Sequence, residues 1–104
     1  MIARIWRGWT RDEDTDAYAV YIRETGLAEY RSTKGNRGAY LLHRSDGTRT
    51  EFIALSLWED LESIRAFAGE DVDAAVFYPE DDQFLVEKET TVLHYMVTEP
   101  NRNA

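Results

Sequence analysis

The fold is decided by two strand-like stretches, Phe52-Ile53-Ala54-Leu55-Ser56-Leu57-Trp58 and Val92-Leu93-His94-Tyr95-Met96-Val97. Successive side chains of a strand point to opposite faces, so a half-exposed strand alternates apolar with polar residues. These stretches do not alternate, and a chain of 104 residues is short for a sheet covered on both faces by its own helices. We therefore expect a second copy of the chain to supply the missing cover.

A turn signal between the first of these stretches and the residues before it helps to predict the remaining strands. The second strand is expected to join the third through Ser45-Asp46-Gly47, which is a typical hairpin turn sequence. The four predicted strands cover approximately residues 1–9, 37–44, 50–58 and 87–97.

Helix signals follow the first and the third predicted strands. Thr10-Arg11-Asp12-Glu13 has the form of a capping box, and Gly26 is a natural terminator for the helix that would follow. Asp60 can cap a second helix, and residues 71–78 predict a further short helix that ends before Pro79. The buried stripes of the two main helices contain Tyr18, Tyr21, Ile22 and Leu61, Ile64, Phe67.

The element order is strand, helix, strand, strand, helix, strand, which is typical of an α+β, ferredoxin-like βαββαβ fold with a four-stranded antiparallel sheet. Both helices would cover one face, and the other would be bare in a monomer. Alternate residues of 53–57 and 93–97 would lie there, and a homodimer packed through this sheet face would bury them. We expect one domain over residues 1–99 and a flexible tail over residues 100–104.

The amino-acid composition limits the possible binding partners more than it limits the possible chemistry. The net charge is −8, from 20 acidic and 12 basic residues, which disfavours binding to nucleic acid or to anionic membrane surfaces. The sequence contains no cysteine, so disulfides and thiolate chemistry are excluded. No signal peptide or transmembrane segment is recognisable, and we expect a cytoplasmic protein.

Several segments together resemble the antibiotic biosynthesis monooxygenase domain family, part of the dimeric α/β-barrel superfamily. The resemblance covers about residues 2–97. The segments that carry it are Ile2-Ala3-Arg4-Ile5-Trp6-Arg7-Gly8, Leu57-Trp58-Glu59-Asp60-Leu61-Glu62-Ser63-Ile64, Phe67-Ala68-Gly69-Glu70-Asp71, Tyr78-Pro79-Glu80-Asp81-Asp82-Gln83-Phe84-Leu85 and His94-Tyr95.

The resemblance implies a cleft between sheet and helices in each subunit. Characterised relatives use that cleft either to oxidise phenolic polyketides with molecular oxygen and no cofactor, or to hold and degrade haem. Monooxygenase relatives often carry a histidine where this chain has Phe67, and the haem-degrading branch has an axial histidine at the position matching Phe77. The asparagine expected on the first strand of that branch is also absent, since residues 4–7 are Arg, Ile, Trp and Arg. These departures argue against haem degradation.

His94 is the candidate catalytic residue. Oxygenation of an electron-rich ring needs help in removing a phenolic proton and donors for the resulting anion. An imidazole in the middle of a strand could supply either, or could be a core histidine bonded to its neighbours. His43 lies near the hairpin turn, where exposure is expected.

The candidate substrate-binding residues share a predicted position in or near the cleft. Arg4 lies inside a strand, where its charge needs an ion pair or a wet cavity. Trp58 could close one end of the pocket, and tyrosines could offer hydroxyls, although each also fits ordinary core packing. The full set is Arg4, Tyr18, Tyr40, Trp58, Phe67 and Phe77.

The acidic residues in 70–73 and 80–82 invite a metal hypothesis but lack the ligand spacing of a calcium loop, so capping and a solvated turn explain them better. We expect no metal and no cofactor. The leading hypothesis is a cofactor-independent monooxygenase-like protein acting on a small aromatic or polyketide-like molecule. The alternative is a non-catalytic dimeric protein that binds a small ligand or serves in stress.

Overall fold

The computed structural model describes residues 1–99, so the predicted tail over 100–104 lies outside the described residues. Within residues 1–99, the strand segments form one antiparallel sheet. Its order is β2-β3-β1, and β4 and β5 both pair with the far side of β1. Since β4 and β5 share the place of a fourth strand, the α+β, ferredoxin-like fold is confirmed. The strands are β1 Ile2–Arg11, β2 Asn36–Asp46, β3 Arg49–Trp58, β4 Leu85–Lys88 and β5 Leu93–Met96.

The helices cover one face of this sheet. The first helical unit begins with a 3-10 turn at Asp12–Asp14 and continues as α1, Thr15–Ile22. A π-helical turn at Arg23–Leu27 then joins α1 to α2, Ala28–Ser32. Two further helices follow β3, namely α3, Leu61–Ala68, and α4, Asp81–Phe84.

In the first apolar stretch, the register of β3 decides which side chains are buried. In β3, Phe52, Ala54 and Trp58 are at most 2% exposed and pack under the helices. Ile53, Leu55 and Leu57 alternate with them and point to the opposite face, where they are only partly buried. The two-sided apolar pattern of β3 therefore separates into a core face and a second face that no helix within residues 1–99 covers.

This second face, hereafter the open face, carries apolar side chains from several strands. Cross-strand pairs place Tyr40 beside Leu55 and Leu42 beside Ile53, and such paired side chains share a face. The most exposed of its large apolar residues are Tyr40, Leu42, Leu93 and Tyr95, at 47–56% exposure. One end of the face is charged, because Arg7 and Arg44 both form ion pairs with the buried Glu51.

Two of the predicted helix boundaries are wrong. The capping box does not form because β1 continues through Arg11, and Thr10 pairs with Thr50 inside the sheet. Gly26 does not end the helix either, because the π-helical turn carries the chain on to Ser32. The Asp60 cap is confirmed, since its Oδ1 accepts the Ser63 backbone N–H at 2.9 Å.

The helix predicted over residues 71–78 is absent, and the predicted last strand is interrupted. Both differences have one cause. The Ala75 N–H donates to the Thr90 carbonyl at 2.9 Å, and the Val92 N–H donates to the Asp73 carbonyl at 2.8 Å. This pairing draws residues 90–92 away from β1, and it engages residues 73–75 so that they cannot form a helix. It also buries Val92 in the core beneath α1.

Candidate functional site

A narrow cleft lies between the helix face of β1 and the first helical unit. Residues 75–78 close it from one side, and its free volume is about 20 Å³, which is room for about one water molecule. Its apolar walls include Trp6, Ile22, Phe77 and Val92. Its polar lining consists of Arg4, Tyr18, Tyr30, Tyr78 and Asp81.

Arg4 is the cation of the cleft and is only 2% exposed. Its Nη1 donates to the Val72 carbonyl and its Nη2 donates to the Ala74 carbonyl at 2.9 Å. Among the described residues no carboxylate pairs directly with Arg4. Burial lowers the pKa of Arg4, while the charges of Tyr30 and Asp73 oppose that shift. The guanidinium therefore joins β1 to residues 72–74, which lead directly into the residues that close the cleft, 75–78 (hereafter the closing segment). It also leaves a positive charge at the cleft wall.

His94 lies behind Arg4 and is absent from the cleft lining. Its Nε2 is 3.0 Å from Arg4 Nη1, and its Nδ1 is 3.2 Å from Asp73 Oδ1. Because a guanidinium can only donate, Nε2 must accept, and the proton sits on Nδ1 facing Asp73. Burial and then the Arg4 charge lower the pKa of His94, and Asp73 opposes them. His94 is thus connected to the cleft lining through its contact with Arg4.

Asp81 is a cleft residue that the sequence interpretation missed. It is 5% exposed, and its Oδ2 accepts the Tyr78 backbone N–H at 2.6 Å. Burial raises the pKa of this carboxyl group, and the hydrogen bond from Tyr78 works against that shift. The run Glu80-Asp81-Asp82 had predicted a solvated turn. Nothing in it distinguishes the middle carboxylate, because the inward direction comes from the tertiary fold.

Two tyrosines add hydroxyls to the cleft lining. Tyr18, predicted to bind substrate, is 1% exposed, and burial raises its pKa, with the nearby Asp81 charge adding to the effect. Tyr30 was not predicted. Burial raises its pKa too, while Arg4 acts against the shift and Asp81 adds to it. The Tyr30 hydroxyl is therefore close enough to both charges to sense each of them.

Hydrogen bonds hold the closing segment over this lining. The Tyr78 hydroxyl donates to Glu29 Oε2 at 2.7 Å, and the Glu80 backbone N–H donates to the Tyr21 hydroxyl at 3.0 Å. Both bonds join the end of the segment to the first helical unit.

The remaining predicted binding residues are dispersed. Phe77 lies at the cleft, edge-on to Trp6 with ring centroids 6.3 Å apart. Trp58 and Phe67 pack together in a separate core cluster under α3, and the Phe67 ring lies 5.8 Å from the Arg4 guanidinium. Tyr40 lies on the open face and is 55% exposed, so it is not part of the cleft.

Two general features of the described chain bear on the chemistry. Over residues 1–99, no group of three acidic, histidine or cysteine side chains is arranged to hold a metal ion. In the same residues no helix is long and apolar enough to cross a membrane.

The sequence matches no protein-family model, and no curated protein matches it significantly. Solved structures do match it. A "putative antibiotic biosynthesis monooxygenase" from Bacillus cereus is similar with a TM-score of 0.66 at 12% identity, over 96% of this chain and 95% of that one. A protein described in the same way from Nitrosomonas europaea gives 0.62 at 14% identity, over 95% and 100% of the two chains.

A third similar structure is an uncharacterised NIPSNAP domain protein from Burkholderia xenovorans. It gives a TM-score of 0.57 at 16% identity, over 97% of this chain and all of that one. At these identities the likeness shows the fold. It agrees with the resemblance to the antibiotic biosynthesis monooxygenase proteins at that level.

Proposed function

We propose that the helix–sheet cleft binds a small hydroxylated aromatic molecule and oxidises it with molecular oxygen, as a cofactor-independent monooxygenase. One observation carries this proposal. A buried cation, Arg4, and a buried carboxyl group, Asp81, line the same cleft as two tyrosine hydroxyls, between walls that include aromatic rings. Such a lining suits a flat ring that bears a hydroxyl group at one end and an acceptor at the other.

Oxygenation without a cofactor requires the protein mainly to bind the ring and to stabilise the negative charge that develops on it. Loss of a phenolic proton makes the ring electron-rich, and a positive charge in a water-poor site stabilises the resulting anion. A methylene carbon beside that ring can then become a carbonyl. One oxygen atom of O2 enters the product and the other leaves as water, so the substrate supplies all four electrons.

A ring of this kind needs more room than the closed cleft provides. Binding therefore requires residues 75–78 to move outward, with release of the bonds from Tyr78 to Glu29 and from Glu80 to Tyr21. Backbone groups of Val72 and Ala74, bonded to Arg4, would form the fixed end of that movement.

We also propose that a second copy of the chain covers the open face. Four large apolar side chains there are about half exposed. Burying a whole side chain of this kind is worth about 1.5–3 kcal/mol, so covering the exposed half of each would contribute about half of that. Contiguous apolar patches of this kind are uncommon on monomers. A two-fold axis would place the open face of one copy against the open face of the other, so that a single interface buries both faces.

A second candidate function is ligand binding without turnover. It is favoured by the state of His94, whose Nε2 already accepts a hydrogen bond from Arg4 and so has no free lone pair for a substrate proton. In that case the cleft would hold the same class of molecule and release it unchanged.

Oxygen consumption and binding, measured on the same ligands, separate the two functions. Hydroxylated aromatic ketones and anthrones would be added to the protein in an oxygen electrode, and binding would be followed by tryptophan fluorescence. The oxygenase proposal predicts consumption of one O2 per product formed. Saturable binding with no oxygen uptake would leave the binding function, and no binding by any of these molecules would contradict both.

A further inference from the structure

We propose that Asp81 accepts the hydrogen bond of a ligand hydroxyl, so that the cleft selects neutral hydroxyaryl carbonyl compounds over their phenolate forms. This inference rests on the proposed function, because it names the class of molecule that the same cleft would take. It concerns recognition and holds whether or not the ligand is oxidised.

The burial of Asp81 singles it out within its acidic turn. The side chain of the adjacent Asp82 is 80% exposed and pairs with Lys88, whereas Asp81 is 5% exposed and lines the cleft. A carboxylate removed from water is costly unless hydrogen bonds satisfy it. A ligand hydroxyl could provide such a bond.

Asp81 retains unused capacity to accept hydrogen bonds. A carboxylate offers about four lone-pair sites, and the Tyr78 backbone N–H uses one of them, at Oδ2. The backbone of the turn is closed separately, since the Asp81 N–H donates to the Tyr78 carbonyl at 3.0 Å. The neighbouring Tyr18 hydroxyl also interacts with the carboxylate. Together with the Tyr78 N–H it engages two of the roughly four sites, so acceptor sites remain for a ligand.

The two charges of the cleft define an orientation for the ligand. Arg4 can only donate hydrogen bonds and Asp81, when ionised, can only accept them. Both side chains line the same cleft, so one bound molecule can meet both. A neutral molecule with a carbonyl toward Arg4 and a hydroxyl toward Asp81 matches both ends. A phenolate oxygen at the Asp81 end would place two negative charges together.

The test uses 4-hydroxyacetophenone and its methyl ether, 4-methoxyacetophenone, as probes of the wild-type protein. Hydrogen bonds to charged groups are worth enough to make the hydroxyl compound bind about ten- to hundredfold more tightly. Its affinity should fall as rising pH ionises the hydroxyl group. Equal affinity for the two compounds, tighter binding of the phenolate, or no binding of either would overturn the inference, and none of these measurements needs a variant.

The variant Asp81→Asn sharpens the test by inverting the polarity of the site. Its amide oxygen can keep the Tyr78 N–H, which leaves the NH2 group to face the ligand. We expect Asp81→Asn to lose most of the preference for the hydroxyl compound and to bind it more tightly as pH rises. Glu80→Gln removes an exposed charge from the same turn, leaves the Lys88–Asp82 pair beside Asp81 in place and should behave as wild type. If Asp81→Asn and wild type, both folded by circular dichroism, share one pH profile, Asp81 is not the acceptor.

Measuring oxygen uptake alongside binding distinguishes two outcomes, namely that the Asp81 assignment is wrong and that the proposed oxygenase function is wrong. The expected binding pattern without oxygen uptake would remove the oxygenase and retain the Asp81 assignment. Uptake without the expected pattern would retain the oxygenase and remove the assignment.

Discussion

At the scale of single residues, Arg4 connects the sheet to the segment that closes the cleft. Its strand position predicted either an ion pair or a wet cavity. The structure instead gives it backbone carbonyls and a neutral imidazole as partners, inside the cleft wall. The three donors it uses belong to the two Nη atoms, so the charge remains available to a ligand while the side chain is held in place.

Arg4→Met should lower the free energy of unfolding, because it keeps the apolar stem and removes the donors. The Val72 and Ala74 carbonyls would each lose a partner, at a cost of about 1–3 kcal/mol apiece. Urea denaturation measures the change. Arg37→Met is the matched control, since Arg37 is a surface residue paired with Glu59, and such pairs contribute about 0–1 kcal/mol. Equal losses of unfolding free energy in the two variants would contradict the conclusion that the Arg4 hydrogen bonds stabilise the fold.

His94 should make stability depend on pH in a definite direction. Burial and Arg4 lower its pKa from the usual 6.5 in the folded state. Between the lower folded value and 6.5 the unfolded chain binds more protons, so the free energy of unfolding falls as pH drops through that window. Urea midpoints from about pH 7.5 to about pH 5 should show this fall in wild type. His94→Gln should flatten it, and His43→Gln, at an exposed site, should not. A curve of the same slope in wild type and His94→Gln would contradict the lowered pKa of His94.

At the scale of elements, sequence patterns correctly predicted the features that depend on interactions between residues close together in the chain. The hairpin between β2 and β3, the Asp60 cap and the strand predicted over 50–58 depend on neighbours in sequence, and all three are confirmed, with the hairpin turn at 47–48. The helix expected at 71–78 fails because its backbone pairs with residues 90–92, which no local pattern can reveal. The same non-local pairing closes the cleft, so the site was less predictable than the fold.

The Asp60 cap gives a prediction for α3. Asp60→Ala should cost about 1 kcal/mol of the free energy of unfolding, since the Ser63 N–H would lose its acceptor. Asp60→Asn retains an oxygen at this position and should cost much less. Thermal and urea denaturation would measure both variants. Equal losses would show that the negative charge near the helix N-terminus, rather than the capping bond, stabilises α3.

At the scale of the whole molecule, the sheet has two faces with different proposed roles. The helix face holds the core and the cleft, and the open face would hold the second copy. The sequence predicted this division from the two apolar stretches, and predicted Arg4, Tyr18 and Phe77 as binding residues that now line the cleft. It missed Tyr30 and Asp81, because a half-buried tyrosine or a buried carboxylate facing a cleft is recognisable only after distant segments are assembled.

The proposed dimer predicts the effect of a charge on the open face. Leu55 lies on this face, paired with Ile5 on one side and Tyr40 on the other. Leu55→Glu would place two like charges in the apolar interface and should convert a dimer to a monomer at micromolar concentration in sedimentation equilibrium. Leu61→Glu makes the same change on α3, where the side chain is already 41% exposed, and should remain dimeric. A wild-type protein that sediments as a monomer would contradict the proposal.

The most direct test of the cleft uses the three tryptophans, which report on three places. The Trp6 indole lines the cleft, Trp9 lies on the open face beneath Arg7 and Arg49, and Trp58 is buried under α3. In a ¹⁵N–¹H spectrum titrated with 4-hydroxyacetophenone, we expect a saturable shift of the Trp6 indole N–H with little change at Trp9. A saturable shift confined to Trp9, or no shift at any indole, would contradict binding in the cleft.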